Sequence, residues 1–101
     1  MTPAARVAAA ITVLDDILAG RTAEKALSDW ARGSRFAGSK DRAALRDLVF
    51  DALRKRASSA AIGGALTGRG LMIGSLRQDG VDLATMFSGE GHAPSLLTAE
   101  E

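Results

Sequence analysis

With 101 residues, 47% of them hydrophobic and 25% charged, the chain has the size of one folding unit and is too apolar to stay disordered. The absence of cysteine excludes a disulfide framework, a thiolate metal site and a cysteine nucleophile, and no stretch is apolar for long enough to cross a membrane. Net charge is only +1, but positions 20–77 hold twelve Lys/Arg against five Asp/Glu while the rest holds one Arg against seven acids, so a basic middle lies between acidic ends.

Aromatic residues are few, tyrosine is missing, and alanine and leucine abound, a composition that favours helix over sheet. Thr2 is a cap and Pro3 a first-turn residue for a helix in which Val7, Ile11, Leu14 and Leu18 recur at helical spacing until Gly20. Thr22 is placed to cap a second helix reaching about Arg32, with Ala26, Leu27, Trp30 and Ala31 as its apolar face. Gly33 to Gly38 reads as a loop. Ser39 is expected to cap the third and longest helix, with Asp41 in its first turn and a buried stripe of Leu45, Leu48, Val49, Ala52 and Leu53. That helix either ends near Arg54-Lys55-Arg56 or continues to Ile62, before Gly63-Gly64. A shorter helix begins at Thr67 and carries Leu71, Met72 and Leu76, weakened by Gly68, Gly70 and Gly74 and ended near Gly80. Val81 to Phe87 leaves room for one or two more turns. Residues 1–87 therefore read as a helical domain and 88–101 as a linker, mobile when no following domain is present, with Leu96 onward opening a further element.

No catalytic chemistry emerges from this pattern. The stretch from Gly63 to Gly70 lacks Gly-Lys-Ser/Thr and a preceding strand, so it reads as a connection between helices and not as a phosphate loop. His92 is the only histidine and has only Glu90 near it in sequence, too little for a metal site. The neighbours Asp15-Asp16 and Glu100-Glu101 would point about 100° apart on a helix and form no ready carboxylate pair. No catalytic, cofactor or metal residue is assigned.

The informative constellation is basic. Arg32, Arg35, Lys40, Arg42, Arg46, Arg54, Lys55 and Arg56 lie along one loop and one helix, and Arg46, Phe50 and Arg54 follow at i, i+4 and i+8 beside the apolar stripe. Arginines in such a row contact phosphates. Phe50 either stacks a base between them or closes the edge of the core. Trp30, on the face of Leu27, reads as core. Lys40, Arg42, Arg46 and Arg54 are the leading candidates for phosphate contacts.

Three segments carry a resemblance to a known family. The helix from Pro3-Ala4-Ala5-Arg6-Val7-Ala8-Ala9 to Ile17-Leu18 resembles the opening Arg-x-x-Ala helix of NusB-like domains. Ser39-Lys40-Asp41-Arg42-Ala43-Ala44-Leu45-Arg46, then Leu48-Val49-Phe50-Asp51-Ala52-Leu53-Arg54, is similar to their Asp-Arg-Ala helix with its Leu-Arg ending. Phe87-Ser88-Gly89-Glu90-Gly91-His92-Ala93-Pro94 resembles the link to the next domain in bacterial Sun/RsmB-type rRNA cytosine-C5 methyltransferases. The resemblance implies an all-α NusB-like bundle of about four to five helices with an extended C-terminal linker. It also implies an accessory role, binding small-subunit rRNA through phosphates in the cytoplasm. Catalysis, the cysteine nucleophile and S-adenosylmethionine belong to a following methyltransferase domain that these residues do not include, so the chain alone is not expected to be an enzyme. A partner membrane or metal is not expected. The alternative is a helical adaptor that packs on its own catalytic domain or on a separate protein, recognisable by an exposed apolar patch above a few hundred Å².

Overall fold

The computed structural model describes all 101 residues. Five α-helices follow one another without a strand: α1 (Pro3–Leu18), α2 (Ala23–Gly33), α3 (Ser39–Arg54), α4 (Arg56–Gly63) and α5 (Gly68–Gln78), then a short 3₁₀ turn over Leu83–Thr85. Three helix starts are set by threonine hydroxyls, which accept backbone N–H bonds that no helical carbonyl can satisfy. Thr2 accepts from Ala5 at 3.1 Å, Thr22 from Lys25 at 3.2 Å and Thr67 from Gly70 at 3.0 Å. The start of α3 differs from the expectation. Ser39 is already helical, and the cap is Gly38, whose N–H donates to the Asp41 carboxylate at 3.2 Å. Asp41 thus supplies the half of a capping box that reaches back to the cap residue, and glycine supplies no side chain for the other half.

α3 is 16 residues long and shares the greatest length with α1. It stops because Lys55 leaves the helical region (φ −107°, ψ 31°), and α4 starts afresh at Arg56. The ammonium of Lys55 lies 3.0 Å from Asp51 and 2.9 Å from Asp79, which ties this break to the end of α5. The change of direction brings α4 against α5, the most extensive helix pairing in the molecule.

The core is assembled from Val7, Ala10, Val13 and Leu14 of α1, Leu45, Val49 and Ala52 of α3, and an unbroken run from Leu71 to Leu76 in α5. Leu48 and Leu53 flank the α3 stripe and are only half-buried, because the centre of the stripe runs through Leu45, Val49 and Ala52. α5 is enclosed from Gly70 to Leu76, and its glycines make that possible. A Cβ on Gly74 would stand 1.9 Å from the Ser59 carbonyl oxygen, one on Gly63 would stand 1.8 Å from that of Gly70, and one on Gly68 would stand 2.3 Å from that of Ile11. Ser59 and Gly63 on α4 thus face Gly70 and Gly74 on α5, each pair four residues apart on one helix side, and the two backbones touch. Asp15 of α1 adds an anion at the start of α5, where it accepts the Gly68 N–H at 2.7 Å.

The tail carries no helix, in keeping with its glycines and proline, but it does not hang free as a mobile linker. Pro94 is buried, Leu97 packs on the core, and Gly89 donates to the Pro94 carbonyl at 2.9 Å. Arg69 anchors the segment. Its guanidinium donates to the carbonyls of Ser95 (3.1 Å) and Leu96 (2.9 Å), grips the Glu101 carboxylate at 2.8 and 2.9 Å, and lies 5.0 Å from the centre of the buried Phe87 ring. The Cα radius of gyration, 12.5 Å, is that of a chain with its tail folded in.

Hydrogen bonds from Arg69, then from the Thr98 amide, hold the Glu101 carboxyl down at about 2 from an ordinary 4.5. A depressed folded-state pKa stabilises the docked tail fully above the ordinary value, and this stabilisation is lost as the pH falls toward the folded one. The tail should therefore detach between pH 4.5 and about 2, visible as movement of the Thr98 amide resonance, which donates to Glu101 at 2.9 Å. A Thr98 signal already free at neutral pH, or unmoved throughout that range, would contradict the clamp.

Candidate nucleic-acid interface

The structure sorts the basic residues into paired and unpaired sets. Arg46 of α3 reaches α2 and binds both oxygens of Glu24, at 3.2 and 2.5 Å. These hydrogen bonds hold Glu24 below the usual carboxylate range and raise Arg46. The same guanidinium lies 4.9 Å from the centre of the Phe50 ring. Arg54 is paired with Asp51 one turn back. Lys55 is held between Asp79 and Asp51, and the hydrogen bond to Asp79 is the main reason its pKa is raised. The row Arg46, Phe50, Arg54 is therefore committed inside the molecule: both arginines have carboxylate partners and the phenylalanine, 38% exposed, already has a cation against its ring.

A different group is free. Arg35, Lys40, Arg42 and Arg56 are exposed and form no ion pair. Arg56 stands apart at the start of α4, but the other three lie within eight residues at the corner between α2 and α3. The corner is held at several points. Ala37, 3% exposed, is its buried anchor and donates to the Ser34 carbonyl at 3.0 Å. Arg42 donates to the Ala37 carbonyl at 3.2 Å, and Asp41 accepts from Arg6 of α1 at 3.0 and 2.8 Å. With Ala37 turned inward, its neighbour Phe36 is left 75% exposed beside Arg35.

α2 extends the same basic region. Asp29 is shared by Arg21, by Lys25 at 3.7 Å and by Arg32 at 3.6 Å, so three cations meet one carboxylate and positive charge is left over. Of the residues singled out from sequence, Arg32, Arg35, Lys40 and Arg42 thus come together at one end, while Arg46, Arg54 and Lys55 are neutralised and Arg56 is remote in the chain. Sequence reasoning missed Phe36, although an aromatic beside arginine in a Gly/Ser loop has no core to enter. It also missed Arg21 and Lys25; the spacing of Lys25, Asp29 and Arg32 at i, i+4 and i+7 carries that signal.

In the glycine-rich turn, Gly63 and Gly70 are closed against each other by the contact of α4 with α5. No group of three or more His, Cys, Asp or Glu is arranged to hold a metal ion. Arg6 and Asp41, which belong to the two helical motifs quoted above, form a pair that locks α1 to the first turn of α3. No helix is long and apolar enough to cross a membrane. Comparison of the chain with protein families, with curated proteins and with solved structures gives no match.

Proposed function

We propose that the chain is an accessory RNA-binding domain whose α2–α3 corner grips phosphates. One observation carries this reading: Arg35, Lys40 and Arg42 are exposed cations without carboxylate partners, set around a fully presented aromatic on an anchored loop. Cations without carboxylate partners break no ion pair when they turn toward a polyanion, whereas Arg46 and Arg54 would first have to leave Glu24 and Asp51. The phosphate-binding face moves accordingly from the α3 row to the corner, with Arg32, Arg21 and Lys25 at its flank. The likeness of the Arg6 and Asp41 segments to NusB-like domains adds the finer reading. The RNA is rRNA, and cytosine-C5 methylation, with its S-adenosylmethionine, is the work of a separate domain.

Titration of a short single-stranded oligoribonucleotide into isotopically labelled protein tests the proposal. The backbone amides from Arg32 to Arg42 should move most. The adaptor reading has its own observation, an apolar groove of about 600 Å³ between α1 and α3 lined by Val7, Leu48, Phe50, Leu76 and Met86. Amide changes confined to that groove, or absent everywhere, would remove the corner from consideration.

A further inference from the structure

Two of the chain's four Phe and Trp residues and its only histidine line one cleft. It measures about 800 Å³, within the roughly 300–1,000 Å³ of small-molecule sites. Its α1 side is made of short side chains, Ala5, Ala8 and Thr12, so the helix offers a flat surface. Trp30 of α2 and Phe36 of the corner supply aromatic walls, and His92 of the docked tail completes it. Phe36 belongs both to this cleft and to the basic corner, where Arg35 precedes it and Lys40 follows a few residues later. A flat aromatic-walled cleft opening beside unpaired cations has the chemistry of a nucleotide: a π-face to stack and a phosphate to hold.

We infer that this cleft takes an unpaired nucleobase of the strand whose phosphates the α2–α3 corner binds, with Phe36 and Trp30 as the stacking residues. The inference rests on the RNA reading and sharpens it, because a base inside a duplex cannot enter. The Thr12 hydroxyl and the Glu90 carboxylate, which forms no ion pair, lie along the cleft and offer hydrogen bonds to a base edge. The docked tail is part of the site, since His92 and Glu90 belong to the segment that buried Pro94 and the Arg69 bonds to Ser95, Leu96 and Glu101 hold against the helices.

Trp30, the only tryptophan, provides the signal. Three probes are titrated at low salt: a short oligo(A) strand, an abasic oligomer with the same number of phosphates, and an RNA duplex of equal length. The oligo(A) strand should quench Trp30 and bind about tenfold tighter than the abasic oligomer, as stacking of a single base provides. Phe36→Ala should bring the strand down to the abasic level and leave abasic binding unchanged. Its 75% exposure means that the substitution leaves the fold intact. Ala8→Leu, which fills the cleft from α1, should do the same, with circular dichroism confirming its helix content. Equal affinity for strand and abasic oligomer, or a strand affinity indifferent to Phe36→Ala, would overturn the cleft while leaving the phosphate corner in place. Failure of all three probes to bind would overturn both.

Discussion

Gly74→Ala should destabilise the domain by about 3 kcal/mol or more, an unusually large effect for one added methyl group. Helix propensity alone predicts the opposite sign, since alanine in a helix interior is favoured over glycine by about 1 kcal/mol. Packing outweighs it because the new Cβ would stand 1.9 Å from the Ser59 carbonyl oxygen and 2.6 Å from its carbon, both backbone atoms that cannot swing aside. α4 and α5 would have to move apart along the seam where Ser59 and Gly63 face Gly70 and Gly74. The separation would also disturb Gln78, which donates to Ser59 at 3.0 Å, and thus a buried hydroxyl. Gly33→Ala is the control, since it is helical and nothing lies within 4 Å of its Cβ position. Chemical denaturation of the two variants should give shifts of opposite sign. Equal, small shifts would mean that the backbone contact between α4 and α5 is not what it is described to be.

The same seam explains what the sequence discloses and what it withholds. α1, α2 and α5 begin where Thr2, Thr22 and Thr67 announce them, because a cap acts on an amide three residues away and is written locally. The pairing of Arg54 and Lys55 with Asp51 is equally local, at i+3 and i+4, yet Arg54 stands among the phosphate candidates of the sequence analysis. By contrast, Gly70 and Gly74 look like defects in a helix until the facing backbone of α4 is known. Arg46 looks free because its partner, Glu24, is 22 residues away on another helix. Arg69 and Glu101 are 32 residues apart, so a tail that reads as a linker is in fact fastened. The fold class and most helix limits depend on local rules and were readable. Which cations remain available to a ligand depends on tertiary pairing and was not.

The second large effect concerns binding. Replacing Arg35, Lys40 and Arg42 together with glutamine should remove most RNA affinity and lower its dependence on salt. Each phosphate contact on a single strand releases bound counterions and contributes about −0.7 to the slope of log affinity against log salt, so three lost contacts should reduce the slope by about 2. Affinity should fall for all sequences alike, because phosphate contacts carry no base information. The fold should survive. All three side chains are exposed and form no ion pair; only the hydrogen bond from Arg42 to the Ala37 carbonyl is lost. Arg46→Gln with Arg54→Gln is the matched contrast. Those two guanidiniums are bound to Glu24 and Asp51, so their loss should leave the slope within about half a unit of the unaltered protein.

The salt slope of binding to a single-stranded rRNA fragment, measured for the unaltered protein and for these two multiple variants, is the most direct test. A slope of about −2 to −3 that collapses only when Arg35, Lys40 and Arg42 are replaced is the predicted result. A slope that persists in that variant and falls instead with Arg46 and Arg54, or RNA binding that is undetectable at low salt, would contradict the account.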